Sequence, residues 1–197
     1  MSEKERVAVF IDGSNLYYRM KELGILSISK FDYRALAEFL ALDRDLVYAG
    51  YYVGVVKAKP DNTKGQELRT KQQKLFSHLT SPQQNFDINR GVLIRSDSKY
   101  HEKGVDVRIA VDLLVGAFDN MYDTAILLSS DSDLVPAVQK VTQFKKKIEY
   151  VGFSHRPTYA LQKVATRSKL LLREELIAFQ VKLQNDELEK QNFEIYL

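Results

Sequence analysis

Apolar and polar positions along the chain follow two alternating periods. Arg6 to Ile11, RVAVFI, is a short β-branched and aromatic run ending on Asp12-Gly13-Ser14-Asn15; Leu16, Met20 and Leu23 then repeat at helical spacing until Gly24. The pattern is strand, loop, helix. Asp32 is placed to cap a second helix carrying Leu36, Phe39 and Leu40, and Asp45 to Val56, DLVYAGYYVGVV, has the Tyr/Val content of a strand. Lys57 to Lys64 reads as a loop. Gly65 to Leu79, polar with anchors at Leu68, Leu75 and Phe76, reads as a surface helix, Phe86 to Arg95 contains another strand, and Ser96 to Gly104 is charged and irregular. A densely apolar helix, Val105 to Phe118, precedes the nearly all-apolar Thr124 to Leu128, which belongs in the middle of a sheet. Asp133 to Phe144 reads as a helix with Pro136 in its first turn, Lys147 to Gly152 as a strand, and Thr158 to about Asp186 as mostly helical.

This alternation of strand and helix predicts an α/β fold of three layers, α/β/α, with a mainly parallel central sheet. In such folds functional groups gather beyond the carboxyl ends of the strands, where the strand order reverses. The 197 residues, 45% hydrophobic and 28% charged, are enough for one domain with a sizeable core and exclude wholesale disorder. We expect that domain over residues 5–173, followed by an acidic helical tail over 174–197. No uncharged apolar run approaches the roughly 18 to 20 residues of a membrane span, and Met1 to Arg6 alternates charge, so a cytoplasmic, membrane-free protein is expected. With no cysteine and only three scattered histidines, thiol chemistry, thiolate zinc and a compact His-rich metal site are excluded.

Charge is distributed unevenly. Lys140 to Arg173 holds nine bases against one acid, Glu149, a net of +8, whereas residues 174–197 hold six acids and two bases. A basic body with an acidic tail is the electrostatic footprint of a polyanion binder. Three sets of carboxylates stand where chemistry is expected. Asp12 directly follows the first strand, beside a turn that Gly13 permits and Asn15 can hydrogen-bond; Asp131 and Asp133 follow the strand Thr124 to Leu128; Asp106 opens the apolar helix. Each alone is explained as a turn residue, a helix cap or a first-turn acid. Together they place like charges near one end of one sheet, which calls for a cation, and oxygen-only ligands favour Mg²⁺ or Mn²⁺. Asp112 falls about 120° around the helix from Asp106 and four residues after Arg108, so an ion pair competes with ligation there.

The segments VAVFIDGSNLYY (Val7 to Tyr18), KGVDVRIAVDLL (Lys103 to Leu114) and AILLSSDSDLVPAV (Ala125 to Val138) together resemble the NYN domain family, PIN-like nuclease relatives that include the LabA/DUF88 proteins. The resemblance covers roughly residues 5 to 153. It implies a PIN-like fold and a divalent-metal ribonuclease whose acidic cluster maps onto Asp12, Asp106, Asp131 and Asp133, with Asn15 and Asp112 matching further family positions. On that basis Asp12, Asp106 and Asp131 are expected as metal ligands, Asp133 as a ligand or water-orienting group, and Asn15 and Ser130 as residues fixing substrate or loop geometry. RNA is the expected partner, held by Lys57, Lys59, Lys64, Arg69, Lys71 and Lys74 on one side and by the 140–173 series, including Lys145, Lys146 and Arg156, on another. Tyr17, Tyr18, Tyr51 and Tyr52 read as core or sheet packing ahead of base stacking. Two other readings stand beside this one: an RNA-binding scaffold without turnover, and a haloacid-dehalogenase-like phosphohydrolase, which Ser14 disfavours because that class expects a second aspartate there. Leu170 to Leu183 is amphipathic and could either cover the core or join two subunits of a homodimer.

Overall fold

The computed structural model describes residues 3–25, 28–58, 60–96 and 99–180, with the backbone alone for 93–96 and 99–102. In chain order the elements are β1 (Arg6–Asp12), α1 (Gly13–Glu22), α2 (Tyr33–Ala41), β2 (Asp45–Val56), α3 (Thr63–Leu79), β3 (Asp87–Ser96), β4 (Lys99–Lys103), α4 (Val105–Phe118), β5 (Thr124–Leu128), α5 (Val135–Gln143), β6 (Lys147–Phe153), α6 (Tyr159–Val164), β7 (Arg167–Leu171) and α7 (Arg173–Ala178). They form one sheet in the order β4-β3-β2-β1-β5-β6-β7, parallel throughout except for the antiparallel pairing of β4 with β3. The expected three-layer α/β/α architecture is present, with six parallel strands at its centre.

Side-chain alternation along the central strand divides the interior in two. Val7, Val9 and Ile11 point into one core, closed by Leu16 and Met20 of α1, Leu36 and Leu40 of α2, Leu75 and Leu79 of α3 and Leu176 of α7. Ala8 and Phe10 point the other way, against Ile109 and Leu113 of α4, Val138 and Val141 of α5 and Leu161 of α6. Asp32 caps α2 as its position suggests, its carboxylate accepting from the Ala35 N–H at 2.9 Å. Arg44 then fastens α2 to β6: its guanidinium donates to both Glu149 oxygens at 2.9 and 2.8 Å and to the Leu40 and Ala41 carbonyls at the helix end. Tyr17, Tyr51 and Tyr52 are buried, in keeping with packing, and Tyr18 is exposed at its rim.

Two segments differ from the sequence reading. Residues 99–103, read as irregular, pair as β4 along β3, because a charged segment that folds straight back on an edge strand satisfies that strand's backbone groups whatever its side chains. The stretch read as one long helix from Thr158 is instead the short α6, then β7 beside β6, then α7. Ladder bonds to β6 and the burial of Leu171 outweigh local helix propensity there. Leu171 and Leu176 are buried in the first core, so this part of the amphipathic stretch covers the domain; its end, Val181 to Leu183, and the acidic residues of 181–197 lie outside the described residues. Among the described residues no helix is long and apolar enough to cross a membrane.

Where β1 begins, the Arg6 guanidinium and backbone N–H both donate to Asp123, just before β5, and hold that carboxyl down to about 2. A carboxyl whose pKa is depressed in the folded state stabilises above its unfolded pKa of about 4 and loses that contribution as pH falls through the folded value. Thermal unfolding followed between about pH 4 and pH 2 should therefore show a falling midpoint, and Asp123→Asn should flatten that part of the profile while lowering stability at neutral pH.

Candidate active site at the strand-order switch

From β1 the sheet runs to β2 and β3 in one direction and to β5, β6 and β7 in the other, so the connections leave the carboxyl ends of β1 and β5 toward opposite sides and open a crevice between them. Phe10 pairs with Leu127 across these strands, and both face the α4 side. Two residues further on, the same alternation brings Asp12 and Ser129 side by side. Asp12, 9% exposed, caps α1 through Oδ1, which accepts from the Asn15 N–H at 3.0 Å. Its Oδ2 accepts from the Ser129 hydroxyl at 2.9 Å. Ser129 Oγ in turn accepts from the Asp131 N–H at 3.1 Å, and Asp131 Oδ1 accepts from the Asp133 N–H at 2.9 Å. One chain of hydrogen bonds thus runs from Asp12 through Ser129 to Asp131 and Asp133.

Gly13 serves this corner by its size. Its φ is ordinary for a first helical residue, but a Cβ there would stand 2.3 Å from the Tyr51 ring, so the constraint is space where the sequence suggested turn geometry. On the facing side, Gly91 lets α4 close on the sheet: a Cβ would meet Val105 Cγ2 at 2.4 Å. Asp106 follows in the first turn of α4, half-buried. Asp112 does not join the chain. Its Oδ2 accepts from Arg108 Nε at 2.9 Å and from the Tyr52 hydroxyl at 3.1 Å, and it lines a cleft of about 320 Å³ between α4 and the first three strands. Burial pushes the Tyr52 hydroxyl far above the usual phenol range, with Tyr48 and Asp112 adding to the shift, so it remains a donor to that carboxylate.

Asn15 Oδ1 and Ser130 Oγ are buried without a hydrogen-bond partner among the described residues. Ser130 is pinned from outside, its carbonyl accepting from the Thr158 hydroxyl at 2.9 Å. Two acceptors left over beside two aspartates make an oxygen-only donor set, the chemistry a hard divalent cation takes. Among the described residues, however, no three acidic or histidine side chains form a group arranged to hold a metal ion. An ion such as Mg²⁺, which keeps part of its water shell, asks for fewer protein oxygens than a group of three acids supplies.

The basic residues divide between the two ends of the sheet. Lys57 directly follows β2 and Arg156 follows β6, both exposed at the carboxyl end. Arg156 Nη1 donates to Glu22 at 3.1 Å, and Glu22 is held below the usual carboxylate range chiefly by its hydrogen bond from Arg19. Lys145 and Lys146 lie in the turn that enters β6, at the amino end, where Lys146 bonds Asn120 and faces Asp123; the structure does not bring them to Asp12. Lys59 lies outside the described residues. Ser129 and Thr158 are the site residues that motif reading passed over. Strand alternation from Leu127 carries a signal for Ser129, but only once β1 and β5 are known to be neighbours.

Fold and site together define a three-layer α/β/α domain with an aspartate-lined crevice at its switch point. The chain belongs to the NYN domain family, whose model matches residues 6–171 and so extends the likeness through β7. NYN domains are part of the PIN-like nuclease superfamily. A crystal structure of a protein of unknown function from Vibrio parahaemolyticus is similar to this fold with a TM-score of 0.63 and 22% identity, covering 87% of this chain and 95% of that one. No curated protein matches the sequence.

Replacing Ser129 by alanine removes one hydroxyl that serves two partners, leaving Asp12 Oδ2 and the Asp131 N–H each one bond short. Ser129→Ala should lower the unfolding free energy by about 1–3 kcal/mol in urea titrations.

Proposed function

We propose that the protein is a divalent-metal-dependent ribonuclease that hydrolyses RNA phosphodiester bonds in the crevice between β1 and β5. The observation that carries this reading is the hydrogen-bonded chain Asp12–Ser129–Asp131 beside the unsatisfied oxygens of Asn15 and Ser130. A bound Mg²⁺ or Mn²⁺ supplies activation of a water and neutralisation of charge developing on the phosphate. We assign Asp12 and Asp131 to holding it directly, and Asp106, in the first turn of α4, to binding its water shell, since no three acids form a ligand group among the described residues. The Ser129 hydroxyl and the Asn15 N–H hold the Asp12 carboxylate in one orientation at the crevice. Asp133, exposed in the turn before α5, orients the attacking water, and Asn15 Oδ1 and Ser130 Oγ position water or ribose hydroxyls. Lys57 and Arg156 bind phosphates flanking the scissile one.

A second reading, RNA binding without turnover, draws support from the lack of a three-carboxylate group among the described residues. One experiment separates the two. Metal-free protein is incubated with labelled single-stranded and structured RNA, with and without Mg²⁺ or Mn²⁺, alongside Asp12→Asn and Asp131→Asn. Cleavage should require metal and fall by about 100-fold or more in either variant, with RNA binding retained. Binding without cleavage in any metal supports the scaffold, and phosphate release from small monoesters would revive the phosphohydrolase. In the same preparation, Lys57→Glu/Arg156→Glu should make the salt dependence of binding shallower by about 1.4 logarithmic units per decade, as expected for two lost contacts to a single strand. Lys145→Glu, at the other end of the sheet, should leave that slope unchanged.

A further inference from the structure

Helix α4 is apolar on nearly every side, with Asp106, Arg108 and Asp112 as its only charged residues among fourteen. A helix of that composition is ordinarily enclosed. In the structure only one side is. Ile109 and Leu113 enter the second core, while Val107, Val111, Val115 and Phe118 are 60%, 46%, 48% and 75% exposed. Their spacing of four, four and three residues makes one continuous ridge, extended past the helix end by Met121. A contiguous apolar ridge of this kind marks an interaction surface.

We infer that this ridge is covered by α4 of a second copy of the chain, packed antiparallel about a twofold axis. Charge supports the assignment. Arg108 and Asp119 lie eleven residues apart, about 20° from one another around the helix, and so flank the ridge on the same side at its two ends. In a twofold antiparallel pair the same flank meets itself with its ends exchanged, so Arg108 of each copy stands opposite Asp119 of the other. The axis that pairs these charges passes midway between residues 113 and 114, and the ridge from Val107 to Phe118 is centred within one residue of that point. A single axis therefore serves both the apolar and the charged contacts. Gln180, the last described residue, bridges Phe31 on the opposite face of the sheet from the ridge.

The test uses the full chain and its lack of cysteine. Sedimentation equilibrium up to about 100 µM should give twice the monomer mass of 22.7 kDa, and Val111→Glu, at an exposed site, should return it to 22.7 kDa with its circular dichroism spectrum unchanged. Asp119→Lys, which sets like charges across the axis, should weaken the dimer by about tenfold or more. Independently of folding changes in those variants, Val115→Cys, the ridge position nearest the axis, should form a disulfide-linked dimer under mild oxidation, and Leu42→Cys, exposed on the opposite face, should not. A monomer at every concentration overturns the inference and leaves the tail or a foreign partner to cover the ridge. A dimer that Val111→Glu leaves intact also overturns it, placing the contact elsewhere.

Discussion

The parallel pairing of β1 with β5 in the middle of the sheet is the constraint from which the rest follows. Every side chain of β5 is buried, and β1 is buried from Val7 onward, so both strands are held on two faces and along both edges. Once their register is set, Asp12 and Ser129 have no freedom to stand anywhere but beside each other. The hydroxyl between them then ties the start of α1 to the turn before α5. A crevice built on the two most enclosed strands is rigid where binding chemistry needs rigidity, although its walls are loops and helix ends.

Partners sort the acids by role. Asp123 and Glu149 give their charge to Arg6 and Arg44, ion pairs that fasten one piece of backbone to another, whereas Asp112 gives its charge to Arg108 one turn away on the same helix. Asp12 and Asp131 accept from a hydroxyl and from main-chain amides. Such donors orient a carboxylate without cancelling its charge. The same physics explains why two aspartates on one apolar helix differ. Asp112 has rotated to a neighbouring arginine and tyrosine, whereas Asp106 sits at the helix start that Gly91 allows to approach the sheet.

Helix α4 joins the two themes. Its inner side completes the second core and its first turn presents Asp106, so its position matters to both folding and chemistry. Its outer valines leave about half or more of their surface exposed in a single copy. An apolar surface left this exposed is best accounted for by what it meets outside the chain.

The alternation of strand and helix, the burial of β5, the cap at Asp32 and the place of Asp12 at a strand end are all written in the sequence, because each depends on neighbours within a turn or two of the chain. What the sequence left undetermined depends on pairing across long separations. β4 and β7 are strands because an adjacent strand offers them a ladder, which no local propensity records. Ser129 matters because β1 lies beside β5, and Lys145 and Lys146 fall away from the crevice because the turn into β6 lies at the sheet's other end. Whether an apolar helix is covered on all sides is likewise decided by what packs against it, and for α4 only the folded chain reveals that half of it is not.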